Sequence, residues 1–155
     1  MARTPGGTIN VVDPSPLNWL LVTFHTMPEP VRADPQGNLV PFLAESFRWV
    51  DSLTLEFRMR RDVQFHDGTA LTAANIRQNF TEMQRWAAPH PPGTSVNLAP
   101  ETHCEIIDPH TVRFRFPTPD GLALYKLRGF HIGSPSFWDR LGFGYATKGT
   151  GEGRW

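Results

Sequence analysis

The stretch "FRWVDSLTLEFRMRRDVQFHDGTALTAANI", residues 47–76, decides the fold. Within it Leu53, Leu55, Phe57 and Met59 alternate with Thr54, Glu56, Arg58 and Arg60, the period of a strand with one buried face. Asp51-Ser52 separates this strand from another over residues 47–50, so the pair reads as a hairpin. Further on, Asp67-Gly68 suits a turn that needs positive φ, with Phe65 pointing inward. Thr72 is placed to cap a helix running to about Trp86, with Ala73, Ile76, Phe80, Met83 and Ala87 along one side. That stripe is core and not a cofactor box. Hairpin, turn and amphipathic helix in this order give an α+β fold of antiparallel hairpins carrying short helices.

The same reading extends outward in both directions. "GTINVVD", residues 7–13, is a short strand stopped by Asp13-Pro14, because proline lacks the ladder donor and restricts the residue before it. Ser15 then caps a helix over residues 16–25, with Pro16 in its first position. Residues 33–40 carry Asp-Pro and Gln-Gly-Asn, a tight turn between two extended pieces. Residues 88–95 are loop by composition. Residues 104–116 form a second hairpin about Asp108-Pro109, with Val112, Phe114 and Phe116 inward and Arg113 and Arg115 outward. A short helix over residues 121–129, an extended piece, another short helix capped by Ser136 and a Gly-rich end complete the chain.

The 155 residues suffice for one core, so residues 1–155 are read as a single domain or as part of a larger one. Lys plus Arg balance Asp plus Glu at 15 each, and no global field draws in nucleic acid or anionic lipid. One cysteine, Cys104, excludes an internal disulfide framework and reads as a small buried residue. The apolar run "LNWLLVTF" is too short to cross a bilayer and lacks the flanks of an export signal. A cytoplasmic location therefore stays open.

Catalytic and metal chemistry find little to stand on. His25, His66, His90, His103, His110 and His131 are scattered without a His-x-x-x-His pair, so no metal site and no cofactor are expected. His66-Asp67 belongs to the turn. Ser134 and Ser136 lie in "GSPSF" without a Gly-x-Ser-x-Gly elbow, and no acid, base and nucleophile set emerges. The chain is not expected to be an enzyme. "GTGEG", residues 149–153, lacks the Lys-Ser/Thr of a phosphate loop, and "RMRR" with Arg48 reads as a solvated strand face.

Several pieces in order resemble the extracellular solute-binding proteins of family 5, the peptide, dipeptide and nickel-chelate binders of ABC transporters. They are "PFLAES" at residues 41–46, "RRDVQFHDGT" at 60–69, the "LTA" that opens the helix, "IIDPHTVRFRF", "GSPSFW" and "GTGEGRW". Ala74 and Asn75 replace the family's helix-opening acids, and Glu152 replaces a proline. The resemblance implies the first lobe of a type II periplasmic-binding-protein fold, incomplete because the second lobe does not follow. It further implies a peptide or metal-chelate ligand, an ABC permease partner, a periplasmic or extracellular location and no nucleic acid. First-lobe ligand contacts carry over to Phe24 and His25, to Trp86 and His90, and to Phe130 and His131. The alternative is a protein-interaction module that forms homo-oligomers through the surface the second lobe would cover.

Overall fold

The computed structural model describes Gly7 and residues 26–84 and 98–140. The expected strand at residues 7–13, the helix at 16–25, the loop at 88–95 and the Gly-rich end lie outside these residues, Gly7 aside. Two antiparallel sheets are built, one of β1 (Val31–Ala33) and β2 (Leu39–Pro41). The other has β3 (Ala44–Asp51), β4 (Thr54–Met59), β5 (His103–Asp108) and β6 (Thr111–Arg115) in the order β3-β4-β6-β5. Helix α1 (Ala73–Gln84) lies against β5 and β6, and the short α2 (Ala123–Lys126) and α3 (Pro135–Arg140) follow the sheet. This is the expected α+β arrangement.

The turn between β1 and β2 follows from Asp34 and Gly37. Asp34 Oδ1 accepts the amides of Gln36 and Asn38 at 2.9 and 2.8 Å, and Gly37 adopts a φ of +85°. The β3–β4 hairpin forms as its alternation demands, with Leu55, Phe57 and Met59 fully buried. Leu53 departs from that alternation and is exposed, because it sits in the turn where Asp51 Oδ1 accepts its amide at 2.8 Å. Thr54, on the opposite face, is buried instead and receives Arg115 Nη1 at 3.3 Å.

In β6, Val112 and Phe114 are buried and Phe116 just beyond it is nearly so, while Arg113 and Arg115 lie on the other face, as their alternation requires. Glu56 on β4 binds both Arg48 and Arg113, one through each carboxylate oxygen. Its side chain thereby closes one row of the outer face.

Helix α1 begins with a reciprocal cap. Asn75 Oδ1 accepts the Thr72 amide at 2.8 Å and the Thr72 hydroxyl at 2.6 Å, and Thr72 Oγ1 stands 3.4 Å from the Asn75 amide. The cap keeps its geometry without an acid, since a neutral side-chain carbonyl accepts as a carboxylate does. Ile76, Phe80 and Met83 point into the sheet, where Cys104 is also buried and its thiol is pushed up to about 12 by desolvation. At that value the thiol stays protonated and unreactive.

Candidate functional site

The turn at "FHDGT" is closed by its own backbone and by one carboxylate. Gly68 takes a φ of +85° with open space around it, and its amide donates to the Phe65 carbonyl at 2.9 Å. Asp67 Oδ1 accepts the Thr69 amide at 3.0 Å and the Thr69 hydroxyl at 2.6 Å. Its second oxygen accepts the Ser136 hydroxyl at 2.5 Å, across a separation of 69 residues. These donors, Ser136 first and Thr69 next, hold the Asp67 carboxyl well below the usual carboxylate range. The pair His66-Asp67 is thus a turn and a clasp to the Ser-Pro segment. The clasp is the part a sequence pattern cannot show.

The Ser-Pro segment corrects one expectation. Ser134, not Ser136, caps α3: its hydroxyl accepts the Phe137 amide at 3.2 Å, with Pro135 in the first helical position. Proline fits that position because its missing N–H would have no intrahelical acceptor there. Ser136 falls inside the first turn and is free to reach Asp67. A side chain at Gly133 would sit 2.7 Å from Phe137 Cδ1, so the close approach requires glycine.

Asn79 joins this segment to α1. Its Nδ2 donates to the Asn75 and Gly133 carbonyls, both at 2.8 Å. Its Oδ1 accepts the Gly133 amide at 2.7 Å and the Trp138 indole N–H at 2.8 Å. All of its donors and acceptors are used, which is the condition for burying an amide completely.

Of the six ligand-contact positions read from the sequence, Phe24, His25, Trp86 and His90 lie outside the described residues. Phe130 and His131 are described, and both are enclosed. Phe130 meets Phe80 and Phe114 edge-on at 5.9 and 6.0 Å, and those two rings meet each other at 5.0 Å. His131 Nδ1 lies 2.8 Å from the Met27 carbonyl, which identifies it as the protonated nitrogen, and 3.9 Å from Glu29 Oε1. Burial lowers the His131 pKa, partly opposed by the Met27 bond, so the ring is neutral at neutral pH.

Glu29 stands beside it, 3% exposed. Desolvation pushes its carboxyl up to about 7, against the lowering effects of its backbone hydrogen bond, Arg128 and Arg32. The folded state therefore keeps a proton that the unfolded chain loses near the ordinary value of 4.5. The resulting contribution to stability is full below that value and is lost as pH rises through about 7. His131 acts oppositely: its contribution is present above 6.5 and is lost as pH falls. Glu29→Gln, neutral at every pH, should gain on the native chain between pH 5 and 8, by on the order of 1–2 kcal/mol after solvent screening. Urea unfolding at the two pH values measures this. Parallel curves for variant and native chain would mean that Glu29 is ionised throughout.

Among the described residues, no three His, Cys, Asp or Glu side chains gather where a metal ion could be held. A cavity of about 470 Å³ opens on the outer face of the four-stranded sheet, away from the junction just described. Its lining includes Ser46, Glu56, Arg58, Arg61, Asp108 and Thr111. None of these was singled out in the sequence as a ligand contact, because cross-strand register and not chain proximity assembles them.

The architecture is that of a lobe of a solute-binding protein. Residues 38–153 match the family model of bacterial extracellular solute-binding proteins, family 5 Middle, and the chain belongs to that family. Among solved structures it is similar to NikA from Brucella suis in complex with Fe(III)-EDTA. That match has a TM-score of 0.67 and 24% identity over 82% of this chain and 26% of that one. It is also similar to the oligopeptide-binding protein AppA from Bacillus subtilis in complex with a nonapeptide, with a TM-score of 0.62 and 21% identity over 79% and 25% of the two chains. NikZ from Campylobacter jejuni in complex with Ni(L-His) gives a TM-score of 0.59 and 20% identity over 74% and 23%. At these identities the likeness shows the fold. The chain spans about a quarter of the length of the solved structures it matches. No curated protein matches it.

Proposed function

We propose that the chain serves in solute capture for an ABC importer, as part of a binding protein for peptides or metal chelates. The observation that carries this reading is the family match over residues 38–153. Structures similar in fold hold a nonapeptide, Fe(III)-EDTA or a nickel-histidine complex, which sets the ligand classes to try. In this reading residues 1–155 act as one unit, the first lobe, outside the cytoplasm and without catalysis. Phe24, His25, Trp86 and His90 face the ligand. Phe130 and His131, enclosed as they are, hold the wall behind it.

Capture by a binding protein of this kind depends on enclosing the ligand between two lobes. The test uses light scattering and thermal melting of the chain, before and after adding a nonapeptide or nickel-histidine. A monomer whose melting temperature rises with ligand concentration supports solute capture, since binding to the folded state alone stabilises it by mass action. A stable oligomer indifferent to both ligands would overturn it in favour of an interaction module. Leu122 and Tyr125, large apolar residues exposed three positions apart at the start of α2, are the observation that favours this second reading.

A further inference from the structure

We propose that the cavity on the outer face of the four-stranded sheet binds a small, multiply charged oxyanion, a polycarboxylate or a phosphate ester. The inference is independent of the solute-capture reading and uses different residues. Strand register builds the site: Ser46, Arg58, Thr111 and Asp108 stand in one row across β3, β4, β6 and β5. The neighbouring row brings Glu56 between Arg48 and Arg113.

An inventory of charge decides what the cavity accepts. Glu56 spends both oxygens on Arg48 and Arg113, and those hydrogen bonds outweigh its desolvation and hold it ionised. Asp108 Oδ1 is taken by the His110 amide at 2.8 Å, within the β5–β6 turn, and the Thr111 side chain hydrogen-bonds the same carboxylate. Neither carboxylate has much left to offer a cation. The guanidinium groups are differently placed. Arg58 has only a 3.3 Å contact with Glu45, in which both side chains are more than half exposed, and such a pair is weak and easily exchanged. Arg61 has no carboxylate partner among the described residues. Two guanidinium forks with unspent donors therefore share a cavity with the hydroxyl of Ser46, while the Thr111 side chain is held by Asp108. Guanidinium forks bind carboxylate and phosphate oxygens in pairs, and hydroxyls supply further donors. At about 470 Å³ the cavity has room for more than a single phosphate, in the range that small-molecule sites occupy.

The test is an NMR titration of the ¹⁵N-labelled chain with citrate and, separately, with inorganic phosphate and fructose 1,6-bisphosphate, against sodium chloride of matched ionic strength. Saturable shifts of the Thr111 amide and the Arg61 Nε–H are expected with at least one polyanion, with inorganic phosphate the weakest. Citrate binding more tightly than the bisphosphate assigns a polycarboxylate, and the reverse order a phosphate ester. Arg61→Gln, beyond the end of β4 and exposed, should weaken binding about tenfold while the melting temperature is unchanged. Arg58→Gln should do the same. Shifts that chloride reproduces, or affinities unaltered in both variants, would overturn the proposal.

Discussion

Asn79→Leu is expected to lower the stability of the chain by about 3–5 kcal/mol, read as a shift in the urea midpoint without a change in slope. Leucine keeps the branching of asparagine with bulkier methyl groups, so lost hydrogen bonds dominate the cost and some crowding adds to it. The variant removes four hydrogen bonds and strips the buried Gly133 backbone of its partners on both the N–H and the C=O side. An abandoned buried polar group costs about 1–3 kcal/mol, roughly twice what its hydrogen bond contributes net. The Trp138 indole loses this acceptor as well. Hydrogen exchange should show the loss concentrated in residues 130–138, which Asn79 ties to α1. A loss below about 1 kcal/mol would mean that water takes over these bonds.

Phe114→Ala carries the second large effect, also about 3–5 kcal/mol. Phe114 is fully buried and meets Phe57, Phe80 and Phe130 edge-on, with ring centroids at 5.7, 5.0 and 6.0 Å. Its removal opens a cavity that the sheet on one side and α1 on the other cannot close. Against a typical domain stability of about 5–15 kcal/mol the variant stands near the limit of folding, so Phe114→Leu, at about 1–2 kcal/mol, supplies the measurable partner. Phe116→Ala should cost less than Phe114→Ala, because Phe116 lies beyond the strand and meets the exposed Trp49 at 5.6 Å. Equal thermal shifts for the two alanine variants would remove the special place given to the ring cluster.

Much of the scaffold was legible because its signals are local. The alternation through Leu55, Phe57 and Met59 needs only neighbours in sequence to specify a buried strand face, and the turn at Asp67-Gly68 needs only a positive φ. The same holds for the cap at Thr72, although the reciprocal bond from Asn75 was hidden by reading its position as the loss of an acid. Leu53 and Ser136 depart from the sequence reading for different reasons, one local and one tertiary. A turn interrupted the pleat at Leu53, and Asp67, far away in the chain, claimed the hydroxyl of Ser136.

The sequence by itself determined the α+β class, the two hairpins, the turn at "FHDGT" and the family, because periodicity, turn chemistry and ordered motifs are properties of short stretches. Tertiary structure alone decided that Phe130 and His131 are enclosed, that Glu29 is buried beside His131, and that Asn79 saturates its hydrogen bonds on Gly133 and Trp138. It also decided that Arg58 and Arg61 share a cavity with Ser46 and Thr111. The reason is physical: burial and charge pairing depend on which distant segments the sheet register and helix packing bring together, and a residue's own neighbours in sequence do not carry that information.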